Sequence, residues 1–360
     1  VIRGLCAPCA AGLVLFFAAA VSAREGNVER RVMLMGTALE IEVEATDRPA
    51  ALAASEKAVV ALEAAEARLS TWRDDSELAR LNRAPVGERV ALSPRLAADL
   101  ATARHWWQET GGTFDPAIGP LVKAWGLRQG GRQPSEAERA AAMDASAMDG
   151  LELDHGIAVR RRAGLTLEEG AWGKGAGLAD AIAALASDPA VRRATLDLGG
   201  QVALYDRQER SARAPWKVPV ADPRQRHQAV IELTVDGGSL STSGDSERGI
   251  VVDGRKLSHH LDPRTGFPVP SFGSITVWTE SPLDADCLST GLYVMGPEKA
   301  LDWVTGHPGI EALVLRPVPA KRGEEIEALA TAGFAGRLRA LESTVHIHFW
   351  KQQHPEENVR

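Results

Sequence analysis

The sequence predicts an α+β fold. Helix-like and strand-like segments follow one another without the regular βα alternation that builds a doubly wound sheet. An apolar content of 44% and a charged content of 25% are ordinary for a soluble globule. The 360-residue chain is long enough, once a leader is set aside, for one large domain or two small ones.

The leader is read from residues 1–23. Arg3 gives a thin positive start, and Ala10 to Ala20 is apolar but too short to span a bilayer comfortably. Val21-Ser22-Ala23 then offers small residues at a cleavage site, followed by a charged run from Arg24 to Arg31. The pattern predicts export to the periplasm or cell envelope, with an uncleaved inner-membrane anchor as the alternative. Cys6 and Cys9 both precede the apolar core, so neither begins a lipid-modified mature chain. Cleavage leaves Cys287 as the single cysteine, which excludes a disulfide within the mature chain. It reads as a small buried residue rather than a nucleophile. The formal net charge of −7 argues against nonspecific nucleic-acid binding.

Val32 to Val43 alternates loosely and reads as a strand interrupted at Met35-Gly36-Thr37. Ala50 to Leu69 is alanine-rich with apolar residues at helical spacing, and predicts a long amphipathic helix closed by Ser70-Thr71-Trp72. Asp74-Asp75-Ser76-Glu77 opens a short helix with acidic residues in its first turn. Ser93 caps the next helix, Pro94 suits its first position, and Gly111-Gly112 ends it. Phe114-Asp115-Pro116 is a turn before a helix from Ala117 to Trp125. Gly130 to Asp149 reads as a polar connection with a small helix, and Ile157 to Leu167 as a hairpin. Strands are expected over Leu196 to Tyr205, Trp216 to Val220, Val230 to Val235, Ser239 to Ser243 and Gly273 to Thr279. Gly254 to Pro270 is a turn-rich loop of the kind that binds ligands. Pro319 to Glu327 reads as polar surface. Val345 to Trp350 reads as a stray strand or a disordered tail, with no metal role for His346 and His348.

Four features carry candidate chemistry. Asp286 and Thr290 lie four residues apart on an otherwise apolar helix, so they stack on one face. Both supply hard oxygens suited to Mg²⁺ or Ca²⁺, although a helix cap and a self-bonded threonine would look the same. Gly173-Lys174-Gly175-Ala176-Gly177 opens a helix whose first-turn N–H groups attract anions, with Lys174 adding positive charge. Its glycine spacing fits neither a P-loop nor a dinucleotide fingerprint. The loop from Ser258 to Pro268 holds His259, His260, Asp262 and Arg264, and a histidine there can serve as acid, base or charge donor to a phosphoryl group. Ser241-Thr242-Ser243-Gly244 adds a hydroxyl-rich turn. The nucleophile-elbow pattern G-x-S-x-G is absent.

Taken in order, these pieces resemble the ApbE family of flavin transferases. The resemblance runs from Met35 to about Val304. It rests on Met35-Gly36-Thr37, Leu69-Ser70-Thr71-Trp72-Arg73, Thr110 to Pro116, Gly119-Pro120-Leu121, Gly173-Lys174-Gly175 and Leu198-Gly199-Gly200. It continues through Ser241 to Gly244, His259, Asp262 to Gly266, Asp286 and Thr290. The resemblance implies a single α+β unit over residues 32–340, with mixed sheets and packed helices, a polar segment at 24–31 and a tail at 341–360. It implies Mg²⁺-dependent transfer of FMN from FAD to a threonine of an acceptor protein, a flavin-bearing respiratory-complex subunit or a related exported domain, with AMP released; the alternatives are Mg²⁺-dependent hydrolysis of FAD to FMN and AMP, and an exported flavin-binding protein without turnover. Carried onto this chain, the metal ligands are Asp286, Thr290 and the Gly173 carbonyl. Met35, Trp72, Thr113, Phe114, Asp115 and Lys174 are the flavin-nucleotide contacts, with Phe114 packing and Asp115 accepting hydrogen bonds. His259 matches the family's histidine and is, with Asp286, the catalytic candidate, either activating the acceptor hydroxyl or balancing phosphate charge; His260 stands where the family is usually apolar. The departures are Gly173 for alanine, Glu168 for aspartate, Asp197 for asparagine and Gly291 for alanine, the last expected to loosen its helix slightly.

Overall fold

The computed structural model describes residues 26–208, 214–244, 249–252, 254–320 and 323–351. The leader, with Cys6 and Cys9, lies outside the described residues. A nine-stranded sheet forms the spine. In spatial order its strands are Asn27–Leu34, Thr37–Ala45, Val191–Leu198, Gln201–Asp206, Gly238–Gly244, Ser274–Thr279, Glu311–Ala320, Gly323–Ala330 and Val345–Phe349. All neighbours pair antiparallel except the last two strands.

The two faces of the sheet are covered differently. Helices Arg48–Leu69 and Gly173–Ser187 pack on one face through Ala54, Ala58, Leu62, Leu178 and Leu185 against Leu39, Ile41 and Leu196. Helix Pro282–Met295 continues that layer through Leu288 and Leu292 against Ile275, Val277 and Val314. A second, three-stranded sheet of Trp216–Asp222, Gln225–Val235 and Leu338–Ala340 covers the other face, where Leu313 and Leu315 point. Ala312 and Val314 point one way and Leu313 and Leu315 the other, the period of two that a strand buried on both faces requires.

Local signals hold at the helix ends. Asp47 caps the first helix through the Ala50 N–H, and Ser93 caps Pro94–Glu109 through the Leu96 N–H, with Pro94 at the first position. The Met35-Gly36 interruption is a hairpin turn, with Met35 at φ 50° and Gly36 at φ 73°.

Four expectations are corrected. Residues 27–31, read as a polar segment, belong to the first strand. The hairpin joins Leu151–Asp154 to Ile157–Arg160 around His155-Gly156, not within Ile157 to Leu167. Pro319 to Glu327 spans the end of one central strand and the start of the next. The tail from Val345 is the last strand of the main sheet, paired through Ile326↔Val345 to Ala330↔Phe349.

Gly291 is also reread. A Cβ there would sit 2.8 Å from Phe114 Cβ and 3.3 Å from the Phe114 nitrogen. The missing methyl lets the Thr113-Phe114 turn press against the helix. Gly291→Ala gains up to about 1 kcal/mol of helix propensity but must push a buried aromatic aside, which costs about 1–3 kcal/mol. A net loss of stability is expected in urea unfolding; a more stable variant would refute the packing argument.

Candidate active site

Helices Gly173–Ser187 and Pro282–Met295 meet at the start of the first. The contact is tight because Gly175 lacks a side chain: a Cβ there would lie 2.4 Å from the Pro282 carbonyl oxygen, 2.7 Å from Asp286 Cβ and 2.8 Å from Leu283 Cα. Two of those atoms are backbone and cannot swing away. Gly175→Ala is therefore expected to cost about 3 kcal/mol, at the upper end of overpacking effects. Urea unfolding checks it, and a loss under about 1 kcal/mol would mean the two helices part easily.

This approach brings Asp286 onto the helix start. Its Oδ2 accepts the Gly175 N–H at 2.8 Å, and the carboxylate is only 4% exposed. The negative charge sits against the positive end of the helix, whose N-cap residue, Trp172, provides no side-chain cap. Burial pushes the Asp286 carboxyl pKa up, while Lys174, the Gly175 N–H and the Ser241 hydroxyl pull it back. The Gly173 N–H donates to the Glu169 carbonyl at 2.7 Å and the Ala176 N–H to Trp172 at 3.0 Å. The expected nest of free N–H groups is thus corrected: the helix start is occupied by protein acceptors. Positive charge for an anionic ligand falls instead to the half-buried Lys174 side chain.

Thr290, one turn beyond Asp286, is half-buried. Behind both runs a ladder of hydroxyls. Ser241 and Ser243 each lie within hydrogen-bond distance of Ser289, at 3.0 and 3.1 Å, and Ser289 donates to the Asp286 carbonyl at 3.1 Å. The sequence marks Ser241 and Ser243 as a motif; Ser289 was not singled out.

His259 reaches the same helix through ring packing. Its ring lies 4.0 Å from His260, His260 lies 4.4 Å from Tyr293, and Tyr293 stacks on Phe272 at 4.5 Å. Asp286, Thr290 and Tyr293 follow an i, i+4, i+7 stripe, so one helix edge carries both the oxygen donors and the base of the histidine stack. His260 fills the place of an apolar residue by packing between two rings.

On the other side of the helix start, Met35 packs near Gly173 and Gly177, 3.8 Å and 3.2 Å from where their Cβ atoms would be. Its N–H donates to Glu66 at 3.3 Å. The Thr71 N–H donates to Glu169 at 3.2 Å, and Trp72 beside it is 70% exposed. Arg128, which the sequence did not single out, lies over the Trp72 ring and pairs with Glu168.

Thr113, Phe114 and Asp115 are buried, and their bonds are spent inside the protein. Thr113 donates to the Thr110 carbonyl at 3.1 Å, while Asp115 accepts from the Ala117 and Met148 N–H groups at 2.8 and 3.2 Å. Burial pushes the Asp115 pKa up to about 7 against the pull of those two donors. Asp197 holds the Gly199-Gly200 turn by accepting the Gly200 N–H at 2.7 Å. Cys287 is buried and burial raises its thiol pKa well above the ordinary value, which leaves it unreactive.

The groups that the resemblance names as ligands, a carboxylate, a hydroxyl and a main-chain carbonyl, are of the hard-oxygen type that a divalent cation such as Mg²⁺ takes. Among the described residues, no three His, Cys, Asp or Glu side chains converge to cage a metal unaided. One protein carboxylate suits a Mg²⁺ whose remaining ligands are waters and substrate phosphates.

The sequence model of the ApbE family matches residues 35–314. A FAD:protein FMN transferase of Treponema pallidum (strain Nichols) is 32% identical over 347 residues, spanning 89% of this chain and 91% of that protein. One of Klebsiella pneumoniae (strain 342) is 32% identical over 278 residues, 74% of this chain and 78% of that protein. Among solved structures, Pseudomonas stutzeri flavinyl transferase ApbE, apo form, superposes with a TM-score of 0.74 at 25% identity, covering 87% of this chain and 97% of that one. Flavin transferase ApbE from Vibrio cholerae gives 0.72 at 25% identity, covering 87% and 99%. With residues 35–314 matched by the family model and a relative 32% identical along most of both chains, this chain belongs to the ApbE family.

Proposed function

We propose that this protein transfers FMN from FAD to a threonine hydroxyl of an acceptor protein, in a Mg²⁺-dependent reaction that releases AMP. The observation that carries the reading is end-to-end similarity to proteins named FAD:protein FMN transferase, joined to a helix junction that assembles Asp286, Thr290 and Lys174.

The threonine oxygen attacks the phosphorus on the riboflavin side of the FAD diphosphate. A new P–O ester bond forms, the bond to the AMP phosphate breaks, and AMP leaves with the electron pair. His259 takes the proton of the attacking hydroxyl. Asp286, Thr290 and the Gly173 carbonyl would hold Mg²⁺, which neutralises diphosphate charge and polarises phosphorus. Lys174 adds charge beside the leaving phosphate. Met35 and Trp72 border the flavin end, and the Thr113-Phe114-Asp115 turn fixes the helix from behind.

The acceptor belongs to an exported or membrane-associated flavoprotein such as a respiratory-complex subunit, and the transferase works in the periplasm or cell envelope. No helix among the described residues is long and apolar enough to cross a membrane.

The test is direct. The protein is incubated with FAD, Mg²⁺ and exported flavin-acceptor domains, and each acceptor is weighed by mass spectrometry. A gain of one FMN on a threonine is expected. FAD consumption at one rate with and without acceptor would make hydrolysis the reaction, and no gain on any of several acceptors would end the transfer reading.

A further inference from the structure

Trp72 is the most conspicuous exposed aromatic beside the helix junction, and it is not loose. The Arg128 guanidinium carbon lies 4.3 Å from its ring centroid. Arg128 is itself fixed: it pairs with Glu168 at 2.5 Å, donates to the Thr71 carbonyl at 3.3 Å and also bonds the Thr71 hydroxyl. Thr71 bonds Glu169 through its N–H and its hydroxyl, and the Glu169 carbonyl accepts the Gly173 N–H. The segment bearing Trp72 is thus bolted to the start of the Gly173–Ser187 helix through one cation and two carboxylates.

An indole left 70% exposed gains little from burial, yet its orientation is fixed from one side by a charge. That arrangement presents the rest of the ring to solvent as a preorganised stacking surface. Glu168 is half-buried, and burial raises its carboxyl pKa while Arg128 opposes the rise.

We infer that Arg128 and Glu168 are positioning residues that hold Trp72 as the platform for the planar ring of the flavin substrate. The inference rests on the flavin-transfer reading and adds residues that set affinity for the flavin end alone. Arg128 touches the platform, not the reacting phosphorus.

The two ends of the substrate separate this role from a structural one. FAD and ADP share the adenosine diphosphate, and only FAD carries the isoalloxazine ring. Binding of each is titrated with Mg²⁺ present, for the full-length parent, Arg128→Ala, Glu168→Gln, Trp72→Ala and the Trp72→Ala/Arg128→Ala double variant. Arg128→Ala is expected to raise Kd for FAD about fivefold, the scale of one cation–π contact, and to leave Kd for ADP unchanged. Glu168→Gln acts in the same direction and serves if Arg128→Ala folds poorly. On the Trp72→Ala background, removing Arg128 should add nothing. Equal weakening of FAD and ADP, additive losses in the double variant, or no loss in either single variant would overturn the inference. If the parent binds FAD and the variants match it, only this inference falls; if the parent binds no FAD, the flavin-transfer reading falls with it.

Discussion

Asp286→Ala is expected to lower FMN transfer by about two to three orders of magnitude, the scale of losing a major electrostatic contact to a transition state. Asp286 is the single charged group in the proposed metal set; Thr290 and the Gly173 carbonyl are neutral. Without it the diphosphate meets poorly compensated charge during transfer. The substitution also strips the Gly175 N–H of its acceptor at a buried helix start, worth about 1–3 kcal/mol of stability. Asp286→Asn separates the two effects. The amide oxygen can still accept the Gly175 N–H, so stability should stay near that of the parent while activity stays low. Thr290→Ala should cost less than either, because water can replace a hydroxyl ligand. The measurement is FMN transfer against Mg²⁺ concentration for all three variants, with urea unfolding alongside. Near-parental transfer by Asp286→Asn at limiting Mg²⁺ would remove the carboxylate from the metal set.

Features set by neighbours in sequence were legible, and features set by distant pairing were not. Ser93 and Pro94 announce a helix start because the cap bonds the backbone three residues on. Met35-Gly36 marks an interruption of the strand, which the structure makes a hairpin turn with both residues at positive φ. Val345–Phe349 gave no such signal: its place depends on a parallel pairing with Ile326–Ala330, which no turn encodes. Pro317 and Pro319 argue against a central strand, yet both lie in Glu311–Ala320. The contradiction dissolves in the register. Pairing with Ser274–Thr279 stops at Leu315, so both prolines lie beyond it, where that side of the strand has no ladder to break.

The candidate site follows the same division. The four-residue spacing of Asp286 and Thr290 is readable because helix geometry fixes it. That Asp286 caps another helix depends on Gly175, 111 residues away, which the sequence marks only as one glycine among several. Arg128 lies 40 residues from Glu168 and 57 from Thr71, with no motif joining them. Gly291 shows the hazard of reading one residue locally. By propensity it weakens a helix, and by packing it makes room for Phe114.

His259→Ala is expected to slow transfer about a hundredfold, at the lower end of general acid–base effects, and to leave FAD binding intact because Met35, Trp72 and Lys174 are untouched. The neighbouring His260 supplies the control. Its ring lies between His259 and Tyr293, at 4.0 and 4.4 Å, so its contribution is packing. His260→Phe keeps an aromatic ring of similar size there and should transfer FMN nearly as fast as the parent. His260→Ala removes the support, and His259 should then lose its fixed position and with it much of the rate. Single-turnover transfer with saturating FAD and acceptor distinguishes these cases from weakened binding. A hundredfold loss in His260→Phe with normal rates in His259→Ala would exchange the roles of the two histidines. Normal rates in both would mean that the acceptor hydroxyl gives up its proton to another group at the helix junction.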